Sequence, residues 1–365
     1  MRRKKLKYNS DYMSRLMDEQ LEQLEDTLTA LYANAAYEVN AVFAEYAKDY
    51  EKVLAEKQAQ LLSGDITQAE YNSWVQAKIL KTSQYKATID SLTTIMVNSD
   101  VAAMAIVNGE LPYVVAQSYN FTQSLGWKAA DDAGLSVGTF QIYNVDSVQA
   151  IIKDNPDLLP QVNIPEDEKW NRTKINNEIT QGIVQGKSID KVAEGLQRVT
   201  GMDENAAIRN ARTAMTAAEN LGRTEASEDL RAKGIPMVDQ WSATYDDRTR
   251  DTHLMLDGTT RSENGTFGDD FLATPLRFPG DPNGDPEEIY NCRCRLNLVL
   301  AGIDHSQDDD LYEKFMKENY PDDWKNLQEN KGYIAKQEQK YDALQKQADL
   351  KAGGYQEIKS RKKGD

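Results

Sequence analysis

Thiols, an imidazole and several carboxylates crowd into one part of this 365-residue chain. Cys292 and Cys294, its only two cysteines, are one residue apart, and His253 is one of two histidines. Asp246, Asp247, Asp251 and Asp257 surround that histidine, and Arg248, Arg250, Arg293 and Arg295 stand among them. The thiols, the imidazole and the carboxylates are zinc-ligand types. Paired cysteines in structural zinc sites, however, are usually separated by about two to four residues. With a single residue between them, the favoured reading is a pair of buried thiols behaving as small apolar side chains. A disulfide between them would close too small a ring for good geometry. The competing reading is a metal-dependent (zinc) enzyme built on Asp247, His253, Cys292 and Cys294. Acid–base chemistry needs a partner within hydrogen-bond reach, and spacing supplies none. No G-x-S-x-G, Walker, H-E-x-x-H or G-x-G-x-x-G pattern is present. The expectation is therefore no catalytic residue, no cofactor and no metal. The arginines read better as partners of nearby acids than as an anion site.

The elements that would position these residues follow from apolar periodicity and breakers. Asp11–Ser63 has neither Gly nor Pro, and Met17, Leu21, Leu24, Leu28 and Leu31 fall at helical steps, which predicts one long amphipathic helix. Thr67 and Glu70 form a capping box that should open a second helix ending near Asn108-Gly109. The two together make a long N-terminal hairpin over 1–110. A connector over 111–163 should hold short helices and one strand pair. Pro165 with Glu166 and Asp167 opens a further helix that Gly186 ends; Ser188 caps the next, with Gly201 as its stop and Asp203 opening an Ala-rich helix closed by Gly234. A strand is expected around Trp241, a short helix around His253, and a turn-rich loop through Pro286. A second strand should follow, with Cys292, Cys294, Leu296, Leu298 and Leu300 on one face. Residues 301–365 read as a polar helical tail with a disordered end. The fold class is mostly α with a small α+β domain over 164–300.

A net charge of −16 opposes broad adhesion to DNA or anionic membranes. The basic ends, Arg2 to Lys7 and Lys359 to Lys363, are local exceptions. No run is apolar enough for a membrane span, and no signal peptide is read.

Trp241, Asp246-Asp247-Arg248-Thr249-Arg250, His253, Asp257-Gly258, Pro279-Gly280-Asp281-Pro282 and Asn291-Cys292-Arg293-Cys294 stand in this order. That ordered set, within Ile164 to Leu300, resembles the phage Mu protein F-like domain of minor head (head morphogenesis) proteins of tailed phages. Such proteins often carry an Arg-Thr-Glu in the helix before it; here Arg212-Thr213-Ala214 departs from that pattern. The resemblance implies a structural minor capsid protein, not an enzyme. It implies action in head morphogenesis near the portal inside the procapsid. Portal protein and capsid or scaffold components would be its partners, with packaged DNA a further contact. There would be no membrane and no small-molecule substrate. The protein would lie in the virion head and, during assembly, in the host bacterial cytoplasm. Some relatives join this domain to a toxin; the polar segment after Leu300 is not expected to be one.

Overall fold

The computed structural model describes residues 12–48, 50–135, 140–244, 246, 248–300 and 316–325. The basic ends and His305 lie outside the described residues. Among the described residues the architecture is mostly α, with one two-stranded antiparallel sheet. In chain order come α1 (Tyr12–Lys48), α2 (Glu51–Ser63), α3 (Gln68–Val75), α4 (Ser83–Asp132), α5 (Val145–Asp154), α6 (Ile164–Val184), α7 (Ile189–Ala232), β1 (Met237–Ser242), α8 (Asp251–Leu256), α9 (Pro286–Ile289) and β2 (Arg295–Leu300). Two compact units are built from them. One takes Met1–Glu25, Ile106–Pro160 and Ile208–Lys336; the other takes Asp26–Ala105, Gln161–Ala207 and Gln337–Asp365. Helices α1, α4 and α7 contribute residues to both.

The second unit is helical. Its core gathers Val39, Phe43, Tyr71, Leu92, Ile179 and Leu196 from five helices. Tyr71 donates to the carbonyl of Ile183 at 2.9 Å, which ties α3 to α6. The expected single helix over Asp11–Ser63 is instead two, broken between Lys48 and Glu51. No Gly or Pro marks that break. Tyr50 turns there, its ring tilted against Tyr46 at 5.1 Å and its hydroxyl bonded to Gln84 at 3.1 Å, so tertiary packing makes it. The Thr67–Glu70 capping box forms as expected and opens α3, and a π-helical turn, Gln76–Leu80, follows. Two acids are buried here without full compensation. Burial moves the Asp100 carboxyl up to about 6, against the lowering effect of the hydrogen bond from Tyr32. Burial, then the Asp100 charge, moves Asp203 up to about 8.

Two expected stops are absent. The helix predicted to end at Asn108-Gly109 runs on to Asp132, through Pro112. An interior proline costs about 3 kcal/mol. The burial of Leu111, Tyr113, Val114, Val115, Tyr119 and Phe121, at about 1.5–3 kcal/mol each, outweighs it. The predicted connector is consequently helix up to Asp132, then α5, and shows no strand pair among the described residues. Likewise α7 passes through Gly201 and Asp203 without a break. A mid-helix glycine costs about 1 kcal/mol, and the buried stripe Leu196, Val199, Ala207, Ala211 continues on both sides of it. Gly186 and Gly234, by contrast, end their helices in the left-handed region, at φ of 72° and 86°.

The first unit carries the sheet. β1 and β2 pair antiparallel in the register Met237↔Leu300 through Ser242↔Arg295. The stretch between them is turn-rich, with isolated bridges Gln240↔Thr260 and Phe267↔Leu276 as the expected short β pieces. Of the expected tail, 316–319 and 321–325 are helical.

Candidate functional site

The strands bring the chemistry-bearing residues into one framework. His253 lies on α8, and the cysteines lie on the extended run entering β2; all three side chains are buried, at 1%, 2% and 2% exposure. His253 Nδ1 is 3.3 Å from Cys294 Sγ and 3.7 Å from Cys292 Sγ. One donor atom from each of the three lies within 4.8 Å of the others. The one-residue gap therefore does not keep the thiols apart: side chains two apart on an extended run share a side. The two thiols are not equivalent. Cys294 is pulled below the ordinary thiol range by its bond to Cys292 and then by His253. Cys292 is pushed up by its bond to Cys294 and by burial. On the far side of the ring, Glu288 Oε2 sits 3.1 Å from Nε2 and accepts from Thr252 Oγ1 at 2.9 Å. It lies off the ring N–H direction, so Nε2 makes no aligned hydrogen bond. Trp241 covers the imidazole edge-on at 5.2 Å and meets Phe267 at 5.4 Å.

Other described signature residues shape the backbone around this cluster. Trp241 exchanges backbone bonds with Gly258 and Thr259, at 2.8 and 2.9 Å. Gly258 has φ 76°, and Asp257 caps the Ala243 N–H at 2.9 Å. Asp246 accepts from the Arg248 and Arg293 side; the Arg293 bond holds its carboxyl well below the usual range. Arg250 donates to the Tyr290 carbonyl at 2.5 Å. Asp247 lies outside the described residues. Asp281 is buried, which raises its carboxyl, but two side-chain bonds from Arg277 (2.7 and 2.9 Å) and backbone N–H groups bring it below the usual value. Gly280 has φ 78°, and an added Cβ would meet the backbone N of Ala217 at 3.2 Å, so the Pro279–Pro282 turn lies against α7. Asn291 enters the left-handed region at φ 55° and aims the next residue inward.

The sequence reading took α7 as small-residue packing and missed its polar face. Thr213, Thr216, Asn220 and Arg223 follow at steps of three, four and three, one helical face. They hold the cysteine run by its backbone. Thr213 accepts from Asn291 N at 3.2 Å, and Thr216 donates to the Cys292 carbonyl at 2.9 Å. Asn220 donates to the Cys294 and Pro279 carbonyls and accepts from Leu296 N at 2.8 Å. Arg223 donates to the Leu296 carbonyl at 3.3 Å and pairs with Glu219 at 2.8 Å, their side chains 2% and 3% exposed. That spacing was the signal available. The Arg-Thr-Glu found missing at Arg212 stands at Arg223-Thr224-Glu225, three helical turns on. Arg212 itself pairs with Glu25 at 2.5 Å.

Comparison with known proteins fits this framework. Residues 173–297 match the family described as phage Mu protein F like protein. The chain is 23% identical over 299 residues to the minor head protein GP7 of Bacillus phage SPP1, which covers 80% of this chain and 88% of that protein. It is 30% identical over 146 residues to the NAD(+)--arginine ADP-ribosyltransferase EFV of Enterococcus faecalis (strain ATCC 700802 / V583). That match covers 40% of this chain and only 29% of the enterococcal protein's length. No solved structure matches. The signature from Trp241 to Cys294 thus folds as one framework inside the segment that matches the phage Mu protein F like family, and along 80% of its length the chain is similar to a minor head protein.

Proposed function

We propose that this protein is a structural minor capsid component that acts in head morphogenesis, beside the portal and inside the procapsid of a tailed phage. The observation that carries this reading is the match to the SPP1 minor head protein along 80% of the chain. The site's chemistry agrees with it. The signature side chains are spent on backbone bonds and ion pairs. His253 and the two thiols are too buried to receive a substrate. A metal-dependent enzyme is for that reason the less favoured reading. The partners are the portal protein and capsid or scaffold components, with packaged DNA a further contact. No helix among the described residues is long and apolar enough to cross a membrane. The protein would be made in the host cytoplasm and built into the virion head.

Co-expression with portal, scaffold and major capsid proteins, followed by sedimentation, tests this. The chain is expected to travel with portal-containing procapsids and to be found inside them by cryo-electron microscopy. A chain that stays in the slow fraction while procapsids form would overturn the reading.

A further inference from the structure

We propose that Cys292 Sγ, Cys294 Sγ and His253 Nδ1 bind a structural zinc ion that fastens α8 to the run entering β2. Zinc–sulfur and zinc–nitrogen bonds of about 2.3 and 2.05 Å at a tetrahedral angle put sulfur and nitrogen ~3.5 Å apart. The two observed distances, 3.3 and 3.7 Å, bracket that value. Hydrogen bonding alone accounts less well for the cluster. Nδ1 is a single atom with one bonding direction, yet two buried thiols converge on it, whereas a cation at their centre engages all three donors. Two sulfurs and an imidazole make a soft donor set that selects zinc over magnesium or calcium.

The surroundings are those of a built site. Glu288 Oε2, 3.1 Å from Nε2 and held by Thr252, needs only a small rotation to accept the Nε2 proton. That carboxylate–histidine pairing orients metal-bound imidazoles. Thr216 and Asn220 fix the carbonyls of the two cysteine residues, so both sulfurs are placed before any ion arrives. Trp241 closes the imidazole side. Cys294 also lines a cavity of about 230 Å³ shared with Thr244 and Arg293. A water from that cavity supplies the fourth ligand. On binding, both thiols lose their protons to the buffer and the ion keeps two thiolates and one neutral imidazole. This site stands apart from the head assignment: its failure would leave that assignment as it is.

The full chain, purified under reducing conditions, is expected to carry about one zinc per chain by elemental analysis. After stripping with a chelator it is titrated with cobalt(II). Because the chain has only two cysteines, any thiolate-to-cobalt charge-transfer band reports this site. The band should saturate at one equivalent and disappear on zinc addition, and zinc should raise the Tm of the stripped protein. Glu288→Gln should leave the metal-free Tm in place and weaken zinc binding by about 10-fold or more in a chelator competition. Cys292→Ser can fail through misfolding, so the wild-type titration decides. Stripped, reduced and folded protein that gives no band and no zinc-induced rise in Tm overturns the proposal. Full-strength zinc binding in Glu288→Gln overturns the role given to that carboxylate.

Discussion

At the scale of single residues, the framework around the signature divides into packing and pairing, and mutations should separate the two. Trp241 is fully buried between His253 and Phe267. Trp241→Ala is expected to cost about 3–5 kcal/mol in denaturant unfolding. A melting curve unchanged from wild type would refute that packing role. Arg223 and Glu219 are a buried pair. Removing one partner leaves an uncompensated charge, so Arg223→Met should cost about 3–5 kcal/mol, and the double change with Glu219→Leu should recover much of that. Double-mutant unfolding free energies measure the recovery; additive losses would mean the pair is not coupled. At this scale the sequence was legible where a residue's type restricts what it can do. Gly258, Gly280 and Asp281 were readable as turn makers. The meeting of His253 with Cys292 and Cys294 was not, because a helix and the extended run before β2, with His253 and Cys292 39 residues apart, meet only through the tertiary fold.

At the scale of elements, local signals located helix starts better than helix ends. Thr67 and Ser188 mark their starts because an N-cap is a bond between neighbours in sequence, and Pro165 marks its own because its fixed φ suits the first helical turn. Gly109 and Gly201 fail as stops, and Pro112 stays inside α4, because burial outweighs about 1–3 kcal/mol of backbone preference. The same contest separates two glycines on α7. At Gly201 an added Cβ meets nothing within 4 Å, so Gly201→Ala should stabilise by about 0.5–1 kcal/mol. At Gly222 it would come 2.5 Å from the Val115 carbonyl oxygen and 2.8 Å from Ser118 Cβ. Backbone cannot yield cheaply there, so Gly222→Ala should destabilise by about 1–3 kcal/mol despite the better helix former. Thermal unfolding of the two variants side by side checks the sign; a shared sign would refute the close approach of α4 and α7.

At the scale of the whole molecule, buried acids set the pH response. Asp203 and Glu110 are raised to about 8, both chiefly by burial, and Asp100 to about 6. An acid whose folded value lies above its unfolded one stabilises the fold while protonated. That contribution is complete below about pH 4 and is lost as pH rises through the folded values. Carboxyls held down by partners, such as Asp281, oppose it at the acid end. Tm is therefore expected to fall between about pH 6 and pH 9. Asp203→Asn should flatten part of that slope. A Tm that climbs across the same range would contradict the burial of these acids.

The pairing of β1 with β2 also sets a timetable. Met237 meets Leu300, and everything that forms the cluster lies between those positions. At about 5–20 residues per second, β1 waits on the order of several seconds during synthesis for the strand that completes it. His253 is made long before both thiols, and Trp241 earlier still. The long helices are thus available to fold first, while the apolar face of β1 stays open until the last strand arrives. This non-local closure should make the sheet the late step of folding. In the cell, that waiting interval is when the nascent chain most needs protection from its neighbours.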